Sequence, residues 1–384
     1  MTTKLIHHPY RPPAGFDAPQ VGVYKASTVL FPDVAAMRAR DWRHRSGYTY
    51  GLHGTPTTFT LEERIATLEG GTHCVLVPSG LAAIALVNMA LLKAGDELLL
   101  PDNVYGPSRE LARRELAAWG ITHKLYDPMD LASLAAAIGP ATKLVWLEAP
   151  GSVTMEFPDL PALVAVCRER GVTTALDNTW GAGLAFCGFD LGIDVVMQAL
   201  TKYPSGGGDV LMGSVVTRDA ELADRIHMTH GRLGQGVGAN DAEAMLRSLP
   251  SLSLRYHAAD AAGRELAAWC ATRSEFRRVL HPALPGAPGH EHWKSTCRAA
   301  AGLFSVVVDP RFSGAQVDRF VDALQLFGIG FSWAGPMSLV VPYDMKQMRA
   351  KPAYDGTVVR FSIGLEEVAD LKADLEQALA ALAG

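Results

Sequence analysis

The spacing of hydrophobic positions changes character at Leu61. Before it, residues 1–55 mix proline, glycine and aromatic residues without helical periodicity, apart from a short candidate helix over 34–40. Such a segment cannot close a core of its own and is expected to be an arm lying on another subunit. Beyond Leu61, helix-spaced and strand-like blocks alternate. Residues 61–68 predict a helix, 74–77 a short apolar strand, and 80–93 an Ala/Leu-rich helix ended by Ala94-Gly95-Asp96. The next strand, 97–100, stops at Pro101; a helix follows over 108–119, and 143–147, 173–176 and 195–198 read as buried strands. Strands alternating with helices build a mainly parallel sheet covered on both faces, an α/β fold whose ligands sit beyond the carboxyl ends of the strands.

A helical stretch over 241–272 then bridges to a second set of elements: an alternating segment at 303–308, a helix over 314–326, apolar segments at 337–341 and 357–362, and a last helix over 368–382. That ratio predicts a smaller α+β lobe. The expected organisation is an arm, 1–55, a large domain, 56–248, and a small C-terminal domain, 249–384.

A chain of 384 residues is longer than one hydrophobic core usually serves, in agreement with two lobes. Its net charge of −5 offers no electrostatic reason to bind nucleic acid or an anionic membrane, which directs attention to a small-molecule site. Cys74, Cys167, Cys187, Cys270 and Cys297 are scattered, with neither a CxxC pair nor metal-ligand spacing, so reduced thiols and no metal are expected. The first residues lack an apolar signal core, and the apolar stretches are interrupted before they could span a bilayer; a cytoplasmic protein is expected.

The strongest local signal is TTALDNTW, where an apolar strand ends in Asp177. A carboxylate at the end of a buried strand needs a cation or a set of donors. A second apolar strand runs into Thr201 and Lys202, followed by a loop with three successive glycines that permits close backbone approach to a ligand. An isolated Asp or Lys is usually a cap or a solvated charge. Two at the ends of buried strands, beside a glycine loop, point instead into one crevice. A lysine that condenses with an aldehyde cofactor, paired with a carboxylate on a pyridinium nitrogen, is what pyridoxal chemistry requires. Ser79, Gly80 and Leu81 open a helix after a strand, which suits an anion such as a phosphate, although small residues also serve as plain caps. Tyr105, in a loop after a strand, suits a stacking ring, and Arg360 has the fork that binds a carboxylate.

In this order, the segments YGLHGTPT, PSGLAA, DNVYGPS, LEAPGSVTMEF, DNTW, TKYPSGG, FSWAGP and RFSIGLE resemble the cysteine/methionine-metabolism pyridoxal-phosphate enzymes, the trans-sulfuration group, and among them bacterial cystathionine β-lyases most. The resemblance implies the aspartate-aminotransferase-like fold (fold type I), with a mainly parallel seven-stranded sheet in a cofactor-binding large domain. It implies that Lys202 is the Schiff-base lysine and proton shuttle, Asp177 the pyridinium partner and Tyr105 the stacking ring. Gly80, Leu81, Ser79 and Thr201 would hold the phosphate, joined by Tyr50 from a neighbouring subunit. Arg360 would bind the substrate carboxylate in a pocket lined by Ser332, Trp333 and Tyr50. A homo-oligomer with shared sites follows, a dimer at least and usually a tetramer built as a dimer of dimers.

Three positions depart from the family's pattern. Leu52 stands where an arginine commonly reaches the partner's phosphate, with Lys25 or His53 as candidate replacements; Met337-Ser338 replaces a Glu-Ser pair; and Glu243 stands where several β-lyases carry a tyrosine. Glu110 either pairs with a distal substrate ammonium or sits on a solvated helix face. The reading that follows is a carbon–sulfur β-lyase acting on L-cystathionine or a related thioether amino acid. A γ-replacement transferase using an O-acyl-homoserine, a cysteine or cystine lyase, and a catalytically silent cofactor-binding regulator stay open as alternatives.

Overall fold

In the computed structural model, which describes residues 2–10, 12–42, 47–349 and 354–383, the apolar runs of the first lobe become seven strands. They are β1 (His73–Val77), β2 (Glu97–Pro101), β3 (Thr122–Tyr126), β4 (Thr142–Glu148), β5 (Thr173–Asp177), β6 (Val195–Ala199) and β7 (Gly213–Thr217). The sheet order is β1-β7-β6-β5-β4-β2-β3, and β7 alone runs against its neighbours. Successive side chains along a strand face opposite sides. Accordingly Leu76, Leu99, Val145, Leu176, Val196 and Val216 enter one core, while Val75, Leu98, Leu144, Ala175, Val195 and Val215 enter another on the far face. Two buried faces explain why these strands read as continuous apolar runs.

Two strands of this sheet were not among those the pattern picked out. β3 is an edge strand with half-exposed residues, and β7 emerges directly from the glycine loop.

The second sheet consists of β8 (Phe276–Leu280), β9 (Leu303–Val308), β10 (Gly328–Ile329), β11 (Leu339–Tyr343) and β12 (Val358–Ser362), in the order β10-β11-β12-β9-β8. Phe304, Val306, Val340, Val359 and Phe361 pack with Phe320 and Leu375 into its own core. β11 starts two residues later than the apolar pattern suggests, because Ser338 is anchored by Glu366: its backbone N–H and hydroxyl donate to the two carboxylate oxygens at 2.6 and 2.8 Å. FSWAGP and RFSIGLE thereby meet in space. The predicted bridge over 241–272 is broken at Pro250 into helices Ala239–Ser248 and Leu252–Cys270. The second of these places Tyr256 in the large core and Leu266 in the small one.

The N-terminal residues only partly follow the arm expectation. Leu5, on the short helix Thr2–Ile6, and Val21 are buried in this chain's own core. Leu30, 89% exposed, and the half-exposed Val34, Tyr48 and Tyr50 remain unburied. Among the described residues no helix is long and apolar enough to cross a membrane, and no cluster of side chains could hold a metal ion.

Candidate active site

β1 runs antiparallel to β7, and β7 antiparallel to β6, so the carboxyl end of β1 lies on the same edge as those of the parallel block. Five strand ends therefore open onto one crevice: β1 leads to Ser79, β2 to Tyr105, β4 ends at Glu148, β5 at Asp177, and β6 leads to Lys202. Between β2 and β4 the strand order reverses, the place where such sheets bind ligands.

Lys202 Nζ donates to Ser332 Oγ at 2.8 Å and lies 5.4 Å from the centre of the Trp333 ring. Burial, helped by the charge of Arg360, pulls its pKa down to about 8, against the opposing pull of Asp177. Asp177 Oδ1 accepts the Thr179 N–H at 3.0 Å and the Thr179 hydroxyl at 2.5 Å. The Thr179 oxygen in turn accepts the Ala199 N–H at 2.9 Å, tying the end of β5 to the end of β6. Asp177 Oδ2 has no hydrogen bond among the described residues. Burial raises this carboxyl's pKa, opposed by the Thr179 bonds and by Lys202.

Helix Gly80–Leu91 starts at the mouth of the crevice, with Ser79 Oγ accepting the Ala82 N–H at 3.1 Å. Ala83 N–H reaches the Ser79 carbonyl, whereas the N–H groups of Gly80 and Leu81 have no acceptor among the described residues. Thr201, the further candidate for this anion, donates to the Met212 carbonyl at 3.2 Å and accepts the Met212 N–H at 3.1 Å. An open carboxylate oxygen, a buried amine of lowered pKa and two open amides at a helix N-terminus match the ring nitrogen, aldehyde and phosphate of pyridoxal phosphate.

Arg360, on β12, is 7% exposed. Its guanidinium donates to the carbonyls of Phe331 and Ser332 at 2.8 and 3.2 Å and lies 5.5 Å from the Tyr343 ring centre. Nε has no partner, and no described carboxylate pairs with it. Tyr105 caps the helix Gly106–Leu111, and Arg360 and Asp177 both act on its hydroxyl electrostatically. Trp333 packs edge-on against Tyr203, ring centres 5.7 Å apart.

Two carboxyls escaped the sequence reading. Glu148, in register with Asp177 on the neighbouring strand, accepts the Tyr105 N–H at 2.8 Å. Burial, and the adjacent Asp177, push its pKa well above the usual range. The same signal that marked Asp177, an acid ending an apolar strand, was present in Leu147-Glu148. Glu69 is buried behind the crevice, where it accepts the side-chain amides of Asn178, at 2.8 Å, and Gln198. Burial raises it to about 7.

The remaining candidates lie elsewhere. The ring of Tyr50, half-exposed, packs edge-on to His53 at 6.2 Å. His53 stacks on Trp42 at 5.2 Å, and Lys25 is exposed. Glu110 pairs with Arg113 at 2.7 Å on a solvated helix face, and Glu243 pairs with Arg247 at 2.7 Å.

Comparison with known proteins bears directly on this geometry. Residues 2–380 match the Cys/Met metabolism PLP-dependent enzyme family. The chain belongs to that family. Cystathionine beta-lyase of Bordetella avium is 38% identical over 98% of this chain and 96% of its own length. Cystathionine beta-lyase MetC of Escherichia coli K12 is 36% identical over 93% and 92% of the respective chains. The solved structure of cystathionine gamma-lyase from Lactobacillus plantarum, complexed with L-serine, superposes with a TM-score of 0.91 at 26% identity, covering 100% of this chain and 99% of the other. As a member of this family the chain is a PLP-dependent enzyme of fold type I, and its crevice has the donor set the cofactor needs.

Proposed function

We propose that the chain is a carbon–sulfur β-lyase that cleaves the Cβ–S bond of L-cystathionine or a related thioether amino acid, consuming one water and releasing homocysteine, pyruvate and ammonia. The observation that carries this reading is Arg360: a buried guanidinium without an acid partner among the described residues, close enough to Lys202 to lower its pKa. A buried cation left unpaired costs several kcal/mol, and the α-carboxylate of an amino-acid substrate offsets that cost. The cystathionine beta-lyases of Bordetella avium and Escherichia coli, matched over nearly their whole length, support the thioether assignment.

When bound, pyridoxal phosphate supplies the electron-accepting ring that makes the substrate Cα–H acidic. Asp177 Oδ2 would hold a proton on the ring nitrogen. Gly80 and Leu81 would donate their amides to the phosphate, with Ser79 capping the helix behind them, and Tyr105 would cover the ring. Arg360 orients the substrate carboxylate, while Ser332 and Trp333 hold Lys202 Nζ beside it. Lys202, its pKa pulled down by burial, would take the Cα proton at Nζ. The proton held at Lys202 Nζ would pass to the sulfur leaving Cβ, so that homocysteine departs as the thiol.

The exposed Tyr50 supports a homo-oligomer in which this tyrosine completes the site of a neighbouring subunit, assembled as a dimer of dimers. Homoserine esters with cysteine or sulfide, assayed beside cystathionine, test the reaction type. The expected outcome is turnover of cystathionine alone; efficient thiol exchange onto the homoserine ester would replace this reading with γ-replacement.

A further inference from the structure

After Tyr343 the chain leaves the small sheet, turns through the short helix Met345–Met348, and buries Met345 in the core of the large lobe. Arg349 follows, 8% exposed. Its guanidinium spans two carboxylates: Nη1 reaches Glu156 Oε1 at 2.7 Å and Nη2 reaches Asp102 Oδ1 at 2.6 Å. Both acids belong to loops around the crevice. Glu156 Oε2 also accepts the Asn103 side-chain amide at 3.1 Å and the Thr154 hydroxyl. Ser152 N–H closes the ring of contacts by donating to the Asn103 carbonyl at 2.9 Å. Asp102 and Asn103 lead straight into Tyr105, and Tyr343, where the excursion begins, lies against Arg360.

We propose that Arg349 is a positioning residue for the reaction, a clamp between the strand region that carries the substrate-carboxylate site and the loop that carries the Tyr105 ring. A guanidinium suits this task because its planar fork binds two carboxylates in fixed directions. Without it, Asp102 and Glu156 repel one another, and the Tyr105 loop is left with neutral-donor anchors, the Tyr105 N–H on Glu148, the Asn103 amide on Glu156 and the Ser152 N–H on the Asn103 carbonyl, and no charged tie to the Tyr343 side. The proposal rests on Tyr105 covering the cofactor ring, and the experiment separates the two ideas.

The test is a double-mutant cycle of Arg349→Gln and Tyr105→Ala, read both in the dissociation constant of pyridoxal phosphate from the apo-protein and in kcat/KM for L-cystathionine. Arg349→Gln is expected to weaken cofactor binding and to lower kcat/KM by about tenfold each, and by less than about threefold when Tyr105 is already alanine, because contacting residues couple and independent ones add. Arg349→Lys, which can satisfy one carboxylate but not both, is expected to fall between. Equal losses in both backgrounds, or no loss, would overturn the clamp while leaving the Tyr105 seat intact. A Tyr105→Ala protein that binds cofactor normally would overturn both. Should Arg349→Gln fail to fold, Asp102→Asn removes one arm of the clamp at a partly exposed position and is read in the same cycle.

Discussion

Lys202 Nζ and Ser332 Oγ, 130 positions apart in sequence, are joined by a hydrogen bond of 2.8 Å that crosses from the end of a large-sheet strand to the loop before β11. In the proposed mechanism the bond would set the direction from which the amine meets a substrate, because the Ser332 carbonyl is itself held by Arg360 at 3.2 Å. Ser332→Ala should retain cofactor attachment but lower kcat several-fold, on the scale of one lost hydrogen bond of about 1 kcal/mol. Absorbance titration with cofactor and steady-state kinetics check the two halves of this prediction separately.

The lowered pKa of Lys202 gives a second prediction. Only the neutral amine attacks an aldehyde, and burial lowers the pKa from 10.5 to about 8. The rate of cofactor uptake by the apo-protein should therefore rise about tenfold per pH unit below that value and level off above it. A rate still climbing at pH 10 would mark an ordinary solvated lysine.

Removing Arg360 should harm catalysis far more than stability. Arg360→Met should lower kcat/KM for cystathionine by about 100-fold or more, the cost of truncating one partner of a buried charge pair. The same change should move the thermal midpoint of the substrate-free protein little, since it also removes a buried cation that has no acid partner among the described residues. A large destabilisation with unchanged kcat/KM would assign Arg360 to the core.

Glu148 should act as a neutral acceptor. Its pKa is raised well above the carboxylate range, so the protonated form persists to higher pH, and an amide reproduces that form. Glu148→Gln, which still accepts the Tyr105 N–H, should stay within a few-fold of normal activity, whereas Glu148→Ala should lose about 1–3 kcal/mol by orphaning that donor. Activity of the two variants across pH 6 to 9 checks the order.

The fold was legible where burial is symmetric. β2, β4, β5 and β6 announce themselves because both faces enter a core, while β3, exposed on one edge, carries no such run. Asp177 and Lys202 were legible because each follows an apolar strand. Arg349 was not, since its partners lie 193 and 247 positions away and nothing local distinguishes it from a surface arginine. The bonds between Thr201 and Met212 were equally hidden, since they exist only once the glycine loop has turned.

The most direct test of the account is pyruvate release from L-cystathionine by the cofactor-loaded chain, measured beside its Lys202→Ala variant. Prompt pyruvate and homocysteine are expected from the first protein and none from the second. Formation of 2-oxobutyrate and cysteine instead, or undiminished pyruvate from Lys202→Ala, would contradict it.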